Sequence, residues 1–163
     1  MDLLAFLKNH VPCYIYDGEQ ITRQCQKLKK ELSSFEFLYS IKTNLFSHII
    51  QNIPKEGFGA DAASAGEILT GYEPLYTCQD EFSVQVLNES AEKEKVNIVG
   101  NLCTALDVIR ENAEVNHAQI GDIIEITNAG SYAYSLSPLL FSSHRIPKQY
   151  YLYKNKISED EIL

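Results

Sequence analysis

Residues 35–44 run Phe-Glu-Phe-Leu-Tyr-Ser-Ile-Lys-Thr-Asn. From Phe35 to Ile41 the stretch is apolar nearly throughout, the pattern of a parallel strand covered on both faces. It stops at Lys42, which places one lysine at the carboxyl end of the strand, where active sites form in barrels and open α/β sheets. An amine partly desolvated at such a place loses proton affinity and becomes free to form a Schiff base with a carbonyl. Read by itself, the hexapeptide Tyr39–Asn44 is better explained by a lysine that leaves the strand and carries its amine into solvent.

The flanks alternate in the same way. Val11–Tyr16 is rich in β-formers after its proline and predicts a short strand. Asp17 then caps a helix whose Ile21, Cys25, Leu28 and Leu32 fall on one buried stripe, with Lys27, Lys29, Lys30 and Glu31 facing water. Downstream, Ser47 caps a helix through Ile49, Ile50 and Ile53 that ends near Pro54 and Gly57. Phe58–Ala62 predicts a third strand, and Ser64-Ala-Gly-Glu67 has the form of a capping box opening a helix that ends near Gly71. Strand and helix alternating three times is the pattern of a parallel α/β sheet. The pattern then changes: Phe82–Leu87, Val96–Val99, Ala105–Ile109 and Asp122–Thr127 are short β-rich stretches between polar turns, which suggests antiparallel strands.

With 45% hydrophobic and 22% charged residues, the 163-residue chain has material for a core in one domain or two small ones. Lys and Arg number 14 against 22 Asp and Glu, and the net charge of −8 disfavours nucleic acid and anionic membranes as partners. The first ten residues predict a short helix rather than a signal peptide, and no apolar run approaches the roughly 18 residues that span a bilayer. The expectation is a soluble, cytoplasmic protein. Cys13, Cys25, Cys78 and Cys103 are far apart, as are His10, His48, His117 and His144, so no disulfide framework and no metal site is expected.

Taken together, Pro12-Cys-Tyr-Ile-Tyr-Asp17, Tyr39–Asn44 and Gly57-Phe-Gly-Ala-Asp-Ala-Ala-Ser-Ala-Gly-Glu-Ile68 resemble the amino-terminal part of the fold-type III pyridoxal-phosphate decarboxylases, the group of diaminopimelate, ornithine and carboxynorspermidine decarboxylases. Val99–Ile109 (VGNLCTALDVI) and Gly121–Pro147 resemble the carboxy-terminal β-domain of the same enzymes. The resemblance covers residues 12–71 and 84–152. It implies that Lys42 holds the pyridoxal 5′-phosphate cofactor, that Tyr132 hydrogen-bonds its phosphate, and that Cys103 reaches a partner subunit's active site to return a proton after carbon dioxide leaves. Asp61 and Glu67 fall on positions near the cofactor, although the capping box already accounts for Glu67. The implied substrate is a small basic or diamino amino acid, and the implied assembly a homodimer.

There are departures. Thr104 stands at the substrate-reading position where diaminopimelate decarboxylases carry a glutamate and ornithine decarboxylases an aspartate, and an uncharged residue argues against both substrates. Asn128 replaces the usual aspartate of the D-A-G-x-Y motif, and Asp107 fits a structural or interface role better than a catalytic one. The stretch Ser137–Pro147 is more similar to family members acting on polyamine-like, siderophore or antibiotic precursors.

A barrel of eight βα units in about 250 residues takes about 30 per unit. Only about ten residues separate Gly71 from Phe82, where the family has six further units, so roughly 180 residues are missing from the pattern. They would carry the glycine-rich phosphate loop, the histidine that stacks on the cofactor ring and the acid beside the pyridine nitrogen. The expected class is therefore α/β plus β: a partial (β/α) barrel remnant over 1–76, an antiparallel β-domain over 77–153, and a charged tail over 154–163, frayed or disordered. Three functions are compatible with this. The chain is a shortened form of a decarboxylase with the family's activity, an internally deleted, non-catalytic homologue serving as a binding or interaction module, or a self-sufficient protein with some pyridoxal-phosphate chemistry. Lys42, Cys103 and Tyr132, in place on both sides of the gap, favour the first.

Overall fold

The computed structural model describes residues 2–61, 82–100, 102, 107–135, 137, 139 and 145–159. Helix α1 (Leu3–His10) opens on Asp2, whose carboxylate accepts the Ala5 N–H at 3.2 Å. Its Phe6 and His10 rings stack, and both meet Tyr150 edge-on. Strand β1 (Cys13–Asp17) leads directly into α2 (Gly18–Glu31), and Asp17 caps the helix as expected by accepting the N–H groups of Glu19 and Gln20. Gly18 is required by close approach, because a methyl group there would run into the phenol of Tyr151.

The expected stripe on α2 is only half realised. Cys25 is buried and Ile21 half-buried, but Leu28 and Leu32 are exposed. The helix packs on the turn at 53–56 and on strand β8 (Lys148–Tyr153), and in its last turn Lys29 donates to the Glu56 carbonyl at 2.9 Å.

Strand β1 does not lie beside the next strand, as a simple βαβ order would have it. It pairs parallel with β8, from Cys13 opposite Lys148 to Asp17 opposite Leu152. β8 turns through Lys154 and Asn155, both at positive φ (48° and 60°), into antiparallel β9 (Lys156–Glu159). Two consecutive left-handed residues are the geometry of the two-residue hairpin turn that matches strand twist. The expected frayed tail is thus a strand as far as Glu159.

Strand β2 is shorter than the apolar run predicts, Leu38–Ser40, and it pairs parallel with β3 (Gly59–Asp61). Phe35 and Leu38 are 65% and 68% exposed, which corrects the expectation of a strand covered on both faces. A two-stranded sheet cannot cover both sides of itself. Between these strands, α3 (Ser47–Asn52) passes into a 3₁₀ turn (Ile53–Glu56) that ends at Gly57 with φ 81°, the left-handed cap glycine adopts without strain. Phe46, not Ser47, is the residue that precedes the first turn of α3. The core of this half consists of Tyr16, Phe46, Ile49, Ile53 and Tyr151, so it draws on β1, α3 and β8 together.

The remaining strands pair antiparallel, as expected: β4 (Val84–Val86) with β7 (Ile124–Ile126), and β5 (Lys93–Val99) with β6 (Val108–Asn116). β6 begins near the end of the predicted Ala105–Ile109 strand and runs seven residues past it, to Asn116. The β5–β6 register shifts near Ile98, and opposite the shift Asn112 adopts φ 52° while its N–H donates to the Asn97 side chain. Val86, Ala113 and Val115 form this half's own small core. The predicted helix from Ser64 to Gly71 lies outside the described residues.

Candidate functional site

Lys42 is the middle residue of a single 3₁₀ turn, Ile41–Thr43, that closes β2. The turn is locked at both ends: Thr43 Oγ1 donates to the Ser40 carbonyl at 2.8 Å, and the Asn44 N–H donates to the Ile41 carbonyl at 3.2 Å. Lys42 itself is exposed, so the expected desolvation of its amine is not found. The described residues set one loop, 128–134, beside the turn and leave the lysine open to solvent. Asp61 ends β3 directly in register with Ser40, which brings it to the same end of the strand pair as Lys42; it too is exposed.

Tyr132 is brought to this place from the far side of the sequence. Its N–H donates to the Thr43 carbonyl at 2.9 Å, and its φ of 62° is unusual for a residue with a large side chain. Asn128, at the start of the same motif, also has φ 62°. Asn44 adds a second tie, donating from Nδ2 to the Gly130 carbonyl at 2.8 Å. The Tyr14 hydroxyl adds a third, donating to the Ala133 carbonyl at 3.1 Å while its ring meets Tyr134 edge-on at 5.3 Å. The structure therefore brings together three of the predicted site residues, Lys42, Asp61 and Tyr132. Glu67, Cys103 and Thr104 lie outside the described residues.

Two phenols bond to Asn44, just past the lysine turn. Burial pushes the Tyr16 phenol up to about 12, partly offset by a hydrogen bond with Asn44, and its hydroxyl donates to Gln149 Oε1 at 2.8 Å. Burial raises Tyr39 as well, against a hydrogen bond with Thr43. Both are neutral hydrogen-bond donors at ordinary pH, not proton shuttles. Ser40 Oγ, at the end of β2, is buried without a hydrogen-bond partner among the described residues. An unsatisfied hydroxyl next to an exposed amine and a tethered tyrosine suits a group that brings acceptor oxygens and a carbonyl, so the residues present fit pyridoxal phosphate. Among the described residues no cluster of His, Cys, Asp or Glu could hold a metal ion, and no helix is long and apolar enough to cross a membrane.

Sequence reasoning missed Asn44, Tyr14 and Ser40. The signal for Asn44 was present: an asparagine just past an apolar strand and before an apolar helix has to satisfy its amide inside the fold. Asp107 has the structural task expected of it. Its carboxylate accepts the Leu102 N–H at 2.8 Å, its carbonyl accepts the Gly100 N–H at 2.9 Å, and a side chain at Gly100 would collide with its carboxylate.

Residues 18–80 match the pyridoxal-binding domain of the pyridoxal-dependent decarboxylases, and residues 64–130 match the C-terminal sheet domain of the same enzymes. The chain belongs to the fold-type III pyridoxal-phosphate decarboxylase family, whose cofactor is pyridoxal phosphate. Among curated proteins it is similar to 2-[(L-alanin-3-ylcarbamoyl)methyl]-2-hydroxybutanedioate decarboxylase of Staphylococcus aureus, at 36% identity over 72 residues, 44% of this chain and 18% of that one. It is also similar to L-glutamyl-[BtrI acyl-carrier protein] decarboxylase of Niallia circulans, at 34% over 79 residues, 44% of this chain and 18% of the relative. Diaminopimelate decarboxylase of Zymomonas mobilis matches at 34% over 62 residues, 35% of this chain and 15% of that one. A crystal structure of diaminopimelate decarboxylase from M. jannaschii aligns at a TM-score of 0.44 and 24% identity over 48% of this chain and 18% of that chain. Each match thus spans less than a fifth of the relative.

Proposed function

We propose that this chain carries the lysine end of a pyridoxal-phosphate-dependent decarboxylase acting on a basic or diamino amino acid. The observation that carries the reading is the hydrogen bond from the Tyr132 N–H to the Thr43 carbonyl, which seats the motif tyrosine one residue from Lys42. When bound, pyridoxal phosphate supplies the electron sink for loss of carbon dioxide. Lys42 supplies the amine that holds the cofactor, and Tyr132 donates its phenol proton in a hydrogen bond to the phosphate. Asp61 and Glu67 line the cofactor side. Cys103 returns a proton in the active site of a second subunit, which makes the working unit a homodimer, and Thr104 faces the far end of the substrate without a charge; the compartment in this reading is the cytoplasm.

In the same reading, residues 1–76 are a remnant of the β/α barrel and 77–153 the β-domain; the two family matches overlap over 64–80, which contains that boundary. A second reading is favoured by the exposure of Lys42, Phe35 and Leu38. In it, the chain is an internally deleted homologue that binds a partner and does not catalyse.

Absorption spectroscopy separates the two. Pyridoxal phosphate added to the purified protein is expected to give a visible band that borohydride abolishes, leaving one reduced pyridoxyl group on the peptide containing Lys42. Absence of the band, or a band that persists in Lys42→Ala, sinks the enzymatic reading and leaves the binding module.

A further inference from the structure

Asn44 is the most completely engaged polar side chain near the site. It is 6% exposed, the one buried polar residue among those described. Oδ1 accepts the Phe46 N–H at 3.0 Å, which fixes the entry to α3. Nδ2 donates to the Gly130 carbonyl, 86 residues further along the chain. Its own carbonyl accepts the Tyr39 hydroxyl at 3.1 Å. One residue therefore ties together the strand before Lys42, the helix after it and the loop that carries Tyr132.

We infer that Asn44 is a positioning residue that latches the 128–132 loop onto the lysine turn and so holds Tyr132 beside Lys42. The inference rests on the proposed role of those two residues, and its physical basis is specific. Tyr132 sits at φ 62°, a conformation that a bulky residue keeps only when its surroundings hold it. Two hydrogen bonds span the gap between turn and loop at this point, Tyr132 N–H to Thr43 and Asn44 Nδ2 to Gly130. The first is made by backbone and cannot be tuned by sequence. The second depends entirely on the amide of Asn44, a largely buried side chain.

Asn44→Asp breaks the latch, because aspartate keeps the acceptor for the Phe46 N–H and puts an acceptor where the Gly130 carbonyl needs a donor; it also changes the contact with the Tyr16 phenol, which lies away from the 128–132 loop's own amides. Amide hydrogen exchange on the protein without cofactor is the primary readout. Protection of the Tyr132 amide is expected to fall by about threefold to tenfold or more, the equivalent of one buried hydrogen bond, while amides of the β5–β6 pair keep theirs. Unchanged protection at Tyr132, or an equal loss in β5–β6, overturns the inference. If Asn44→Asp does not fold, Asn44→Ser is measured in its place; its hydroxyl keeps an acceptor for the Phe46 N–H and is too short to donate to the Gly130 carbonyl, and unchanged protection at Tyr132 overturns the inference equally. A parallel pyridoxal-phosphate titration followed by absorbance keeps the two ideas apart. A wild-type protein that takes no cofactor on Lys42 removes the functional reading, whereas the exchange result judges Asn44 on its own.

Discussion

Two parallel strand pairings in this chain have opposite characters. β1 and β8 come from segments more than a hundred residues apart, yet a core holding Tyr16 and Tyr151 seals them on one face and Tyr150 is buried beside α1. β2 and β3 are near neighbours in sequence, yet Leu38 on β2 is 68% exposed. β2 lies in an apolar run of its own, so apolar content alone did not decide which pair was covered. β1–β8 has α1, α2 and α3 packed around it, whereas β2–β3 has α3 near one face and no described element over Leu38. Burial is a property of a pair of surfaces, and the site sits where the well-buried pair meets the open one.

The strongest way to break this contrast is to hollow out the buried side. Phe46 is 2% exposed and packs its ring on Tyr16 and His48. Phe46→Ala is expected to cost about 3–5 kcal/mol in urea unfolding, through lost transfer energy and a cavity. A loss below about 1 kcal/mol would show that this core does not hold β1, α3 and β8 together. Next in size is Gly18→Ala, whose methyl group would displace the Tyr151 ring; it is expected to cost about 1–3 kcal/mol. Unchanged stability would mean that α2 does not sit tightly on β8.

A pH series tests the same core without changing its shape. The folded Tyr16 phenol stands at about 12, above its ordinary value near 10. Below the unfolded value both states hold the proton and stability is flat. Between the two values the unfolded chain loses the proton first, so the unfolding midpoint is expected to fall as pH rises through about 10 to 12. Tyr16→Phe is expected to flatten that part of the slope. An equally steep decline in the variant would assign it to other groups, Tyr39 and Tyr151 among them.

What was legible in the sequence follows from the range of the forces involved. Asp17 as a helix cap and a stop near Pro54 and Gly57 are set by bonds spanning a few residues, and both are found, Gly57 in the left-handed conformation. Lys42 at a strand end could be located because the apolar run stops there, and Tyr132 because of its motif. The partnership of β1 with β8 leaves no local mark, since strand periodicity does not say which strand lies alongside. The hairpin at Lys154-Asn155 was hidden by composition: a charged stretch suggested disorder, but Tyr150–Tyr153 before the turn is a continuous run of β-formers and Ile157 after it pairs with Leu152. The burial of Asn44 could be inferred from its apolar flanks, but its partner could not, for the same reason as β8. Its role depends on Gly130, and nothing adjacent to it in sequence announces that partner.

The smallest expected effect is the most telling about the open side. Leu38 lies across Gly59, where any side chain would collide with it, and is otherwise largely in solvent. Leu38→Ala should therefore stay within about 0.5 kcal/mol of wild type in the monomeric protein, as surface substitutions do. A cost above about 2 kcal/mol is the signature of a buried leucine and would mean that this face is covered in solution. Repeating the measurement across a range of protein concentrations identifies the cover. A cost that grows with concentration comes from a second copy, because only association makes stability depend on the amount of protein present. A cost independent of concentration comes from within the chain and would place the contrast between the two strand pairs in doubt.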